Sequence, residues 1–334
     1  MVAYIRAYIL YAYILYIVVH GIYSSVCFVN DRWCNAARQK PMKIEYTKMD
    51  GLGNDFVIIS APDMAKQEAI TRHIPLIAHR QRGIGCDQVI LIGGGGRDAD
   101  ISQYIFNSDG SQAEACGNGM RCVADLVMHK RGMDSLRIAT PAGVREAWRE
   151  NDMVAVTMGV PRFDWQDIPL AQAGDTSQLQ LGEGLPSGMA INLGNPHVVF
   201  VVENAETVDV AGLGSAIETH PLFPQRTNVE FITPIAKNKI RMRVWERGVG
   251  ITKSCGSGAV ASAVAAHRLG LADRRAIVVT DGGELHIHWR EDGQTVLIGP
   301  TSHGGSGVIS LPADNGKNAQ DTPRFVPAPT MQAV

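Results

Sequence analysis

Cys116 and Cys255 are the residues of this sequence best placed to do chemistry, because each stands in the same local pattern. Asn107-Ser-Asp-Gly-Ser-Gln-Ala-Glu-Ala-Cys116-Gly-Asn-Gly-Met-Arg121 and Trp245-Glu246-Arg247-Gly-Val-Gly-Ile-Thr-Lys-Ser-Cys255-Gly-Ser-Gly-Ala both lead from an apolar run through a polar position and a loop to Cys-Gly-x-Gly. An Ala- and Val-rich segment that reads as a helix follows each. A thiol at a helix start lies beside unpaired backbone N–H groups and the positive helix end, which favours the thiolate and predicts a lowered pKa. The same N–H groups hold a carboxylate, and glycines let it come close to the backbone. Two such helix starts aimed at one cleft would grip a carboxylate between two thiols. One thiol could then take a proton from an α-carbon while the other returns one to the opposite face, which is racemisation. The α-hydrogen is only weakly acidic, so two helix ends in a closed, dry cleft must stabilise the developing charge. Nothing in the sequence signals a cofactor or a metal. A lone cysteine is more often a small buried apolar residue, and that bland reading is kept for Cys27, Cys34, Cys86 and Cys122, which have no counterpart.

The elements that must position the thiols repeat along the chain. Leu193-Gly-Asn195 before Val198-Val-Phe-Val mirrors Leu52-Gly-Asn54 before Phe56-Val-Ile-Ile; Asn228-Val-Glu-Phe-Ile mirrors Gln88-Val-Ile-Leu-Ile; Glu246 falls on Asn107 and Cys255 on Cys116. The separation is constant to within two residues across these pairs, which makes an internal repeat the simplest account. The expected fold is therefore α/β with mixed, α+β-like sheets, arranged as two pseudo-symmetric domains of the same fold around a central cleft. Strands are expected over Lys43–Lys48, Phe56–Ile59, Val89–Ile92, Ser102–Phe106, Leu136–Thr140, Arg145–Arg149 and Met153–Met158. Residues 64–82 read as a helix that Pro75 interrupts or bounds. A second helix is expected from about Gly119 to Lys130, ending at Gly132. Gly93 to Gly96 lack the Lys-Ser/Thr and helix of a phosphate loop and read as a hairpin turn. Residues 161–187, rich in Gln, Asp, Gly and Pro, read as a connection. The first domain is placed at 42–158, with a last strand near 298–311 returning to it, and the second at 159–297.

The chain has 334 residues, 45% hydrophobic and 19% charged, with a net charge of −2 and no clustered Lys/Arg tract. It has enough apolar residues for a large core and no electrostatic footprint for nucleic acid, so a small-molecule partner is expected. Its six scattered cysteines fit neither a disulfide scaffold nor a zinc site and point to a reducing, cytoplasmic setting. Residues 1–41 stand apart: no Lys, Arg, Asp or Glu occurs from Ala7 to Asn30, and six of the eight tyrosines precede residue 24. A start-site artefact with Met42 as the natural start, a signal anchor and a cleaved signal peptide compete for this extension; membrane contact follows only if the extension is a true anchor. Residues 312–334 read as a disordered tail.

Around the thiols, His197 in Gly-Asn-Pro-His is a candidate partner for one and Glu246 for the other. A single His after Pro is more often structural. Asn54, Gln88, Asn107, Asn195, Asn228 and Arg247 form an amide-rich set suited to recognising a second ammonium and carboxylate.

With these residues in hand, the chain from about Met42 to Leu311 resembles the diaminopimelate epimerases. The resemblance rests on Met49-Asp-Gly-Leu-Gly-Asn-Asp-Phe56, Gly83-Ile-Gly-Cys-Asp-Gln88, Ala115-Cys-Gly-Asn-Gly-Met-Arg-Cys122, Gly194-Asn-Pro-His197, Arg226-Thr-Asn-Val-Glu-Phe231, Glu246-Arg-Gly and Ser254-Cys-Gly-Ser-Gly258. It implies two like α/β domains, often in a homodimer, and cofactor-independent conversion of LL- to meso-diaminopimelate in lysine and cell-wall precursor synthesis. It also implies Cys116 and Cys255 as the acid/base pair, with His197 and Glu246 assisting. Gly117-Asn118 and Gly256-Ser257 would bind the carboxylate at the reacting centre, and Asn54, Gln88, Asn107, Asn195, Asn228, Glu246 and Arg247 would complete the substrate site. Asp50 stands where many relatives have His, and Ile251 where an acidic residue is frequent. The competing readings are a proline-racemase-like enzyme of the same fold, a thiol redox protein using Cys116 and Cys255, and an amino-acid-binding sensor without turnover.

Overall fold

The computed structural model describes residues 41–113, 116–182 and 184–312. The N-terminal extension and the C-terminal tail singled out above therefore lie outside the described residues, apart from Pro41 and Pro312. Residues 44–309 form one compact unit that carries everything below; the described part of a second unit is residues 41–43 and 310–312.

Two halves of that unit repeat the same order and the same pairing. In the first, β1 (Met42–Gly51) runs antiparallel to β2 (Asn54–Ser60), and β2 lies parallel to β3 (Gln88–Gly94) after a crossover through α1 (Met64–Thr71) and α2 (Ile74–Ala78). β3 is antiparallel to β4 (Ile101–Asn107), which is followed by the short β5 (Gln112–Ala113), and helix α3 (Gly117–Arg131) crosses to β6 (Ser135–Thr140), parallel to β4. β7 (Gly143–Glu150) and β8 (Met153–Gly159) complete a meander. The second half repeats this with β9 (Gly188–Asn192), β10 (Pro196–Val201), β11 (Asn228–Ala236), β12 (Lys239–Glu246), β13 (Gly250–Ile251), β14 (Arg275–Thr280), β15 (Gly283–Trp289) and β16 (Thr295–Gly299). Its crossovers are α4 (Val210–Glu218), after a 3-10 turn at Ala205–Thr207, and α5 (Gly256–Arg268). The parallel steps fall at equivalent places: Phe56 pairs with Gln88, and His197 with Asn228. The repeat seen in the sequence is thus a repeat of hydrogen-bond register.

The central helices explain the shape of each half. Residues Gly256 to Ala266 of α5 are buried on every side and are all Gly, Ser, Ala or Val. A helix apolar all round must be enclosed, and α5 is packed against β9, β10, β11, β12, β14, β15 and β16. Helix α3 is enclosed in the same way from Gly117 to Cys122 and beyond. It ends at Gly132, whose φ of 64° is the left-handed turn expected there, with a basic last turn of His129, Lys130 and Arg131 facing the negative helix end. It begins two residues earlier than the sequence suggests, because the Cys116 side chain itself caps it, accepting from the Gly119 N–H. The helix read over 64–82 is two short ones, and Pro75 sits in the first turn of the second, where a missing N–H costs nothing.

The two halves join where β8 and β16 pair antiparallel, from Thr295 opposite Gly159 to Gly299 opposite Val154. A separate strand, β17 (Ser302–Leu311), returns to pair with β1. Gly93 and Gly94 close β3 and lead into the β3–β4 hairpin connection, as expected. The 161–187 connection carries a small core of its own: Ile168, Leu170, Leu179 and Leu181 pack with Phe200 and Phe231 beneath β10 and β11.

Phe56 is fully buried and lies under the first turn of α3, close to where a side chain on Gly119 would stand. Phe56→Ala should destabilise the protein by about 3–5 kcal/mol, read as a lower urea midpoint at unchanged slope; a midpoint equal to that of the unsubstituted protein would show that this floor carries no load.

Candidate active site

Each thiol is the cap of its helix. Cys116 Sγ accepts the Gly119 N–H at 3.4 Å, and Cys255 Sγ accepts the Gly258 N–H at 3.3 Å. The helices meet end to end: a Cβ on Gly256 would lie 3.3 Å from the Gly117 Cα and 2.9 Å from Leu297 of β16, the same side chain that a Cβ on Gly117 would strike at 2.5 Å. Only glycine lets the two helix starts come this close, so their free N–H groups converge on one place. That place opens on a cavity of about 990 Å³ between the halves.

Twelve of the residues expected at the site line this cavity. From the first half come Asn54, Gln88, Asn107, Cys116, Gly117 and Asn118; from the second come Asn195, Glu246, Arg247, Cys255, Gly256 and Ser257. Asn54 is delivered by the tight Leu52-Gly53 turn, in which both residues have positive φ (61° and 85°). The remaining two candidates stand behind the wall. Asn228 donates to the Pro196 carbonyl at 2.8 Å and accepts the Arg247 backbone N–H at 2.9 Å, so it holds the strand end that carries Glu246 and Arg247. His197 is fully buried, with Nδ1 2.7 Å from Glu230 Oε1 and Nε2 3.0 Å from Asn195 Oδ1, and it reaches the cavity through Asn195.

The surroundings of the two thiols differ. Beside Cys116, the Asn54 amide gives its Nδ2 hydrogen to Asp87 Oδ2 at 3.0 Å and turns Oδ1 toward the sulfur, 3.7 Å away. The position equivalent to Glu246 is Asn107, whose amide is held between Gln88 Nε2 at 2.9 Å and Ser111 Oγ at 3.0 Å. Beside Cys255 stand the Ser257 hydroxyl at 3.6 Å and the Glu246 carboxyl, which accepts from Thr252 Oγ1 and hydrogen-bonds the thiol. Asn118 spans the two helix starts, donating to the Ser254 carbonyl at 3.0 Å, while its Oδ1 has no partner among the described residues.

Burial corrects the expected acidity of the thiols. Loss of water outweighs the helix end: the Cys116 thiol is pushed up to about 12 despite the Gly119 N–H, with the nearby Glu246 charge adding to the rise. The Cys255 thiol is likewise raised well above its ordinary value, by burial first and then by the charges of Glu246 and Glu230. Burial also raises the Glu246 carboxyl, against the pull of Thr252, and so makes it a better proton acceptor. In the first half Arg121 of α3 lowers the Cys116 thiol against its rise; it is fully enclosed, with no hydrogen-bond partner for its three guanidinium nitrogens among the described residues. Cys122 and Cys86 are buried as the bland reading expects, though Cys86 also borders the cavity.

Sequence reasoning passed over the supports of this site. Asp87 fixes Asn54 and accepts the Asp55 N–H at 3.0 Å. Arg80 then bridges Asp55 and Asp87, with Lys48 on the other side of Asp55. Burial would raise the Asp55 carboxyl, but these two cations hold it at about 2. Glu230 is the other omission, and its signal was visible: a charged residue inside the apolar run Val229-Glu-Phe-Ile232, at the position where the first half has Ile90.

Comparison with known proteins identifies the family and the fold. The pattern of the diaminopimelate epimerase family matches residues 46–163 and 189–304, one stretch in each half. The chain is 44% identical over 283 residues to a diaminopimelate epimerase of Rhodospirillum centenum, covering 83% of this chain and 96% of that one. It is 46% identical over 263 residues to one of Rhizorhabdus wittichii, covering 78% and 94%. Among solved structures, a hydroxyproline epimerase from Agrobacterium vitis superposes with a TM-score of 0.60 at 15% identity, over 81% of this chain and 92% of that one. A phenazine biosynthesis protein of the PhzF family from Enterococcus faecalis gives 0.59 at 14%, over 81% and 100%; both show the shared two-domain fold alone. The chain belongs to the diaminopimelate epimerase family, a family of isomerases.

Proposed function

We propose that this protein interconverts LL- and meso-diaminopimelate by a two-thiol mechanism needing no cofactor, in the supply of lysine and peptidoglycan precursors. The observation that carries the reading is the end-to-end meeting of two Cys-capped helices at Gly117 and Gly256 on one amide-lined cavity. A substrate α-carboxylate seated on the two helix ends finds converging N–H groups and two positive dipole ends, which stabilise the charge that develops when the α-proton leaves. One sulfur takes that proton as a thiolate; the other, as a thiol, gives its own to the opposite face, so the centre inverts and the enzyme ends with the proton on the other sulfur. Glu246 is the group that can receive the Cys255 hydrogen before the reaction. The amides of Asn54, Asn195 and Gln88, with Arg247, are suited to the distant ammonium and carboxylate, and Asn228 and His197 to holding them in place. The four described cysteines are all free, which supports a reducing cytoplasmic setting. A homodimer and division into domains at 42–158 and 159–297 belong to the same reading.

Incubated in D₂O with LL-diaminopimelate and no cofactor, the protein should form the meso isomer with deuterium at the inverted carbon. Cys116→Ala and Cys255→Ala should each cut kcat by about 10²–10⁴-fold; wild-type turnover in either would exclude two thiols acting as acid and base. Wild-type exchange with proline or 4-hydroxyproline but not diaminopimelate would instead favour a racemase of the same fold.

Because both thiols sit above neutral pH, alkylation of the free enzyme should be slow near pH 7. It should then speed up by about tenfold per pH unit as the thiolate fraction rises. A rate that stays flat from about pH 6 to about pH 9, followed by mass spectrometry of each cysteine, would show a thiolate already formed in the resting enzyme.

A further inference from the structure

We propose that Glu230 is a positioning residue for Cys255: through His197 it sets which end of the Asn195 amide faces Ser257, and so turns the Ser257 hydroxyl hydrogen onto Cys255 Sγ. The proposal rests on the two-thiol reading of the reaction, but its effect on Cys255 can be measured without turnover.

The pseudo-symmetry supplies the comparison. Under the first turn of α3, the neighbours a side chain on Gly119 would meet are Ile90 and Phe56. Under the first turn of α5, a side chain on Gly258 would meet Glu230 Oε1 at 2.6 Å and Cys255 itself. In register, His197 takes the place of Phe56 and Glu230 that of Ile90, so an apolar floor in one half becomes a buried polar pair in the other. Both residues are fully buried, and Glu230 Oε2 has no hydrogen-bond partner among the described residues. An unsatisfied buried oxygen carries a desolvation cost that an aliphatic side chain like Ile90 would avoid.

The pair changes the direction of hydrogen bonding. In the first half the Asp87 carboxylate touches Asn54 directly; a carboxylate only accepts, so Nδ2 faces it and Oδ1 is left for Cys116. In the second half an imidazole stands between carboxylate and amide. Nδ1 lies 2.7 Å from Glu230 Oε1 and Nε2 3.0 Å from Asn195 Oδ1; a carboxylate oxygen and an amide oxygen both accept, so in this proposal each ring nitrogen carries a hydrogen. With both hydrogens in place the ring is an imidazolium, and Glu230 takes the part of its counter-charge in a site closed to water. The amide is thereby inverted relative to Asn54. Asn195 Nδ2 faces Ser257 Oγ across a long 3.5 Å contact, which leaves the hydroxyl hydrogen free for Cys255 Sγ, 3.6 Å away. With the Gly258 N–H already on that sulfur, two donors then converge on it, and a thiolate formed by transfer to Glu246 is held by both.

Selective ¹⁵N labelling of histidine tests the first link in the unaltered protein at neutral pH. His197 should carry hydrogens on both ring nitrogens; a ring with hydrogen on Nδ1 alone would reverse the amide and overturn the proposal. Glu230→Gln keeps the shape and removes the charge. It should leave the ring neutral, so the Glu230 and His197 charges vanish together and offset each other at Cys255. Loss of the Ser257 donor should then slow alkylation of Cys255 by iodoacetamide at least about fivefold relative to Cys116, while kcat falls more than KM changes. Faster alkylation of Cys255 would show that the Glu230 charge acts on the thiol directly and would overturn the relay. Full retention of the Cys255-to-Cys116 reactivity ratio in folded Glu230→Gln would refute the relay, as would an equal loss at both cysteines, which marks general loosening. If the cysteine variants above keep turnover, the two-thiol reading fails while the labelling and alkylation results still decide the role of Glu230.

Discussion

The meeting of two helix ends at Gly117 and Gly256 is the constraint on which the rest of this structure depends. Two positive helix ends facing each other repel, and each brings backbone donors that have no partner of their own. Holding them together takes the antiparallel seam of β8 and β16, the Leu297 side chain beneath both glycines, and the Asn118 bridge to the Ser254 carbonyl. It also takes helices of small residues that strands can enclose on all sides, as the Gly, Ser, Ala and Val of α5 permit. An anion in the cavity above the junction would relieve that repulsion.

The repeat gives two Cys-capped helix starts, and the differences between the halves make their surroundings unlike. Asn107 and Glu246 occupy one pair of equivalent positions, Ile90 and Glu230 another, Phe56 and His197 a third. All three changes put polar or ionisable groups on the Cys255 side. Arg121, which has Val260 at the equivalent place, puts a buried positive charge on the Cys116 side. The backbone stays symmetric because strand register and helix caps need only apolar residues and glycines, while the electrostatics diverge one side chain at a time.

Much of this was legible in the sequence, for a physical reason. Register repeats when anchor residues repeat, so the near-constant spacing of Asn54, Gln88, Asn107 and Cys116 with their partners foretold the parallel steps at Phe56–Gln88 and His197–Asn228. Cysteine before Gly-x-Gly foretold a helix start, and Gly132 its end. The acidity of the thiols was misread because a helix end is visible in a sequence and water exclusion is not. The orientation of His197 was also beyond reach, since it depends on a carboxylate 33 residues away in the chain that only the β10–β11 pairing brings alongside. Asp87 and Arg80 line the cavity too, but their contacts with Asn54 and Asp55 join positions 33 and 25 residues apart in the chain, which leaves no mark in the sequence.

The seam has a mechanical consequence. Five residue pairs along β8 and β16 tie the halves together beside the helix ends. Sliding one half past the other would break that ladder, whereas rotating about it would leave the bonds intact. Points near the seam, such as Gly117 and Gly256, then hardly move, while those far from it travel furthest. The seam thus fixes the two helix starts relative to each other, while contacts farther out, such as Leu52 against Gly282 and Lys253 against Gly53, are packing rather than a strand ladder.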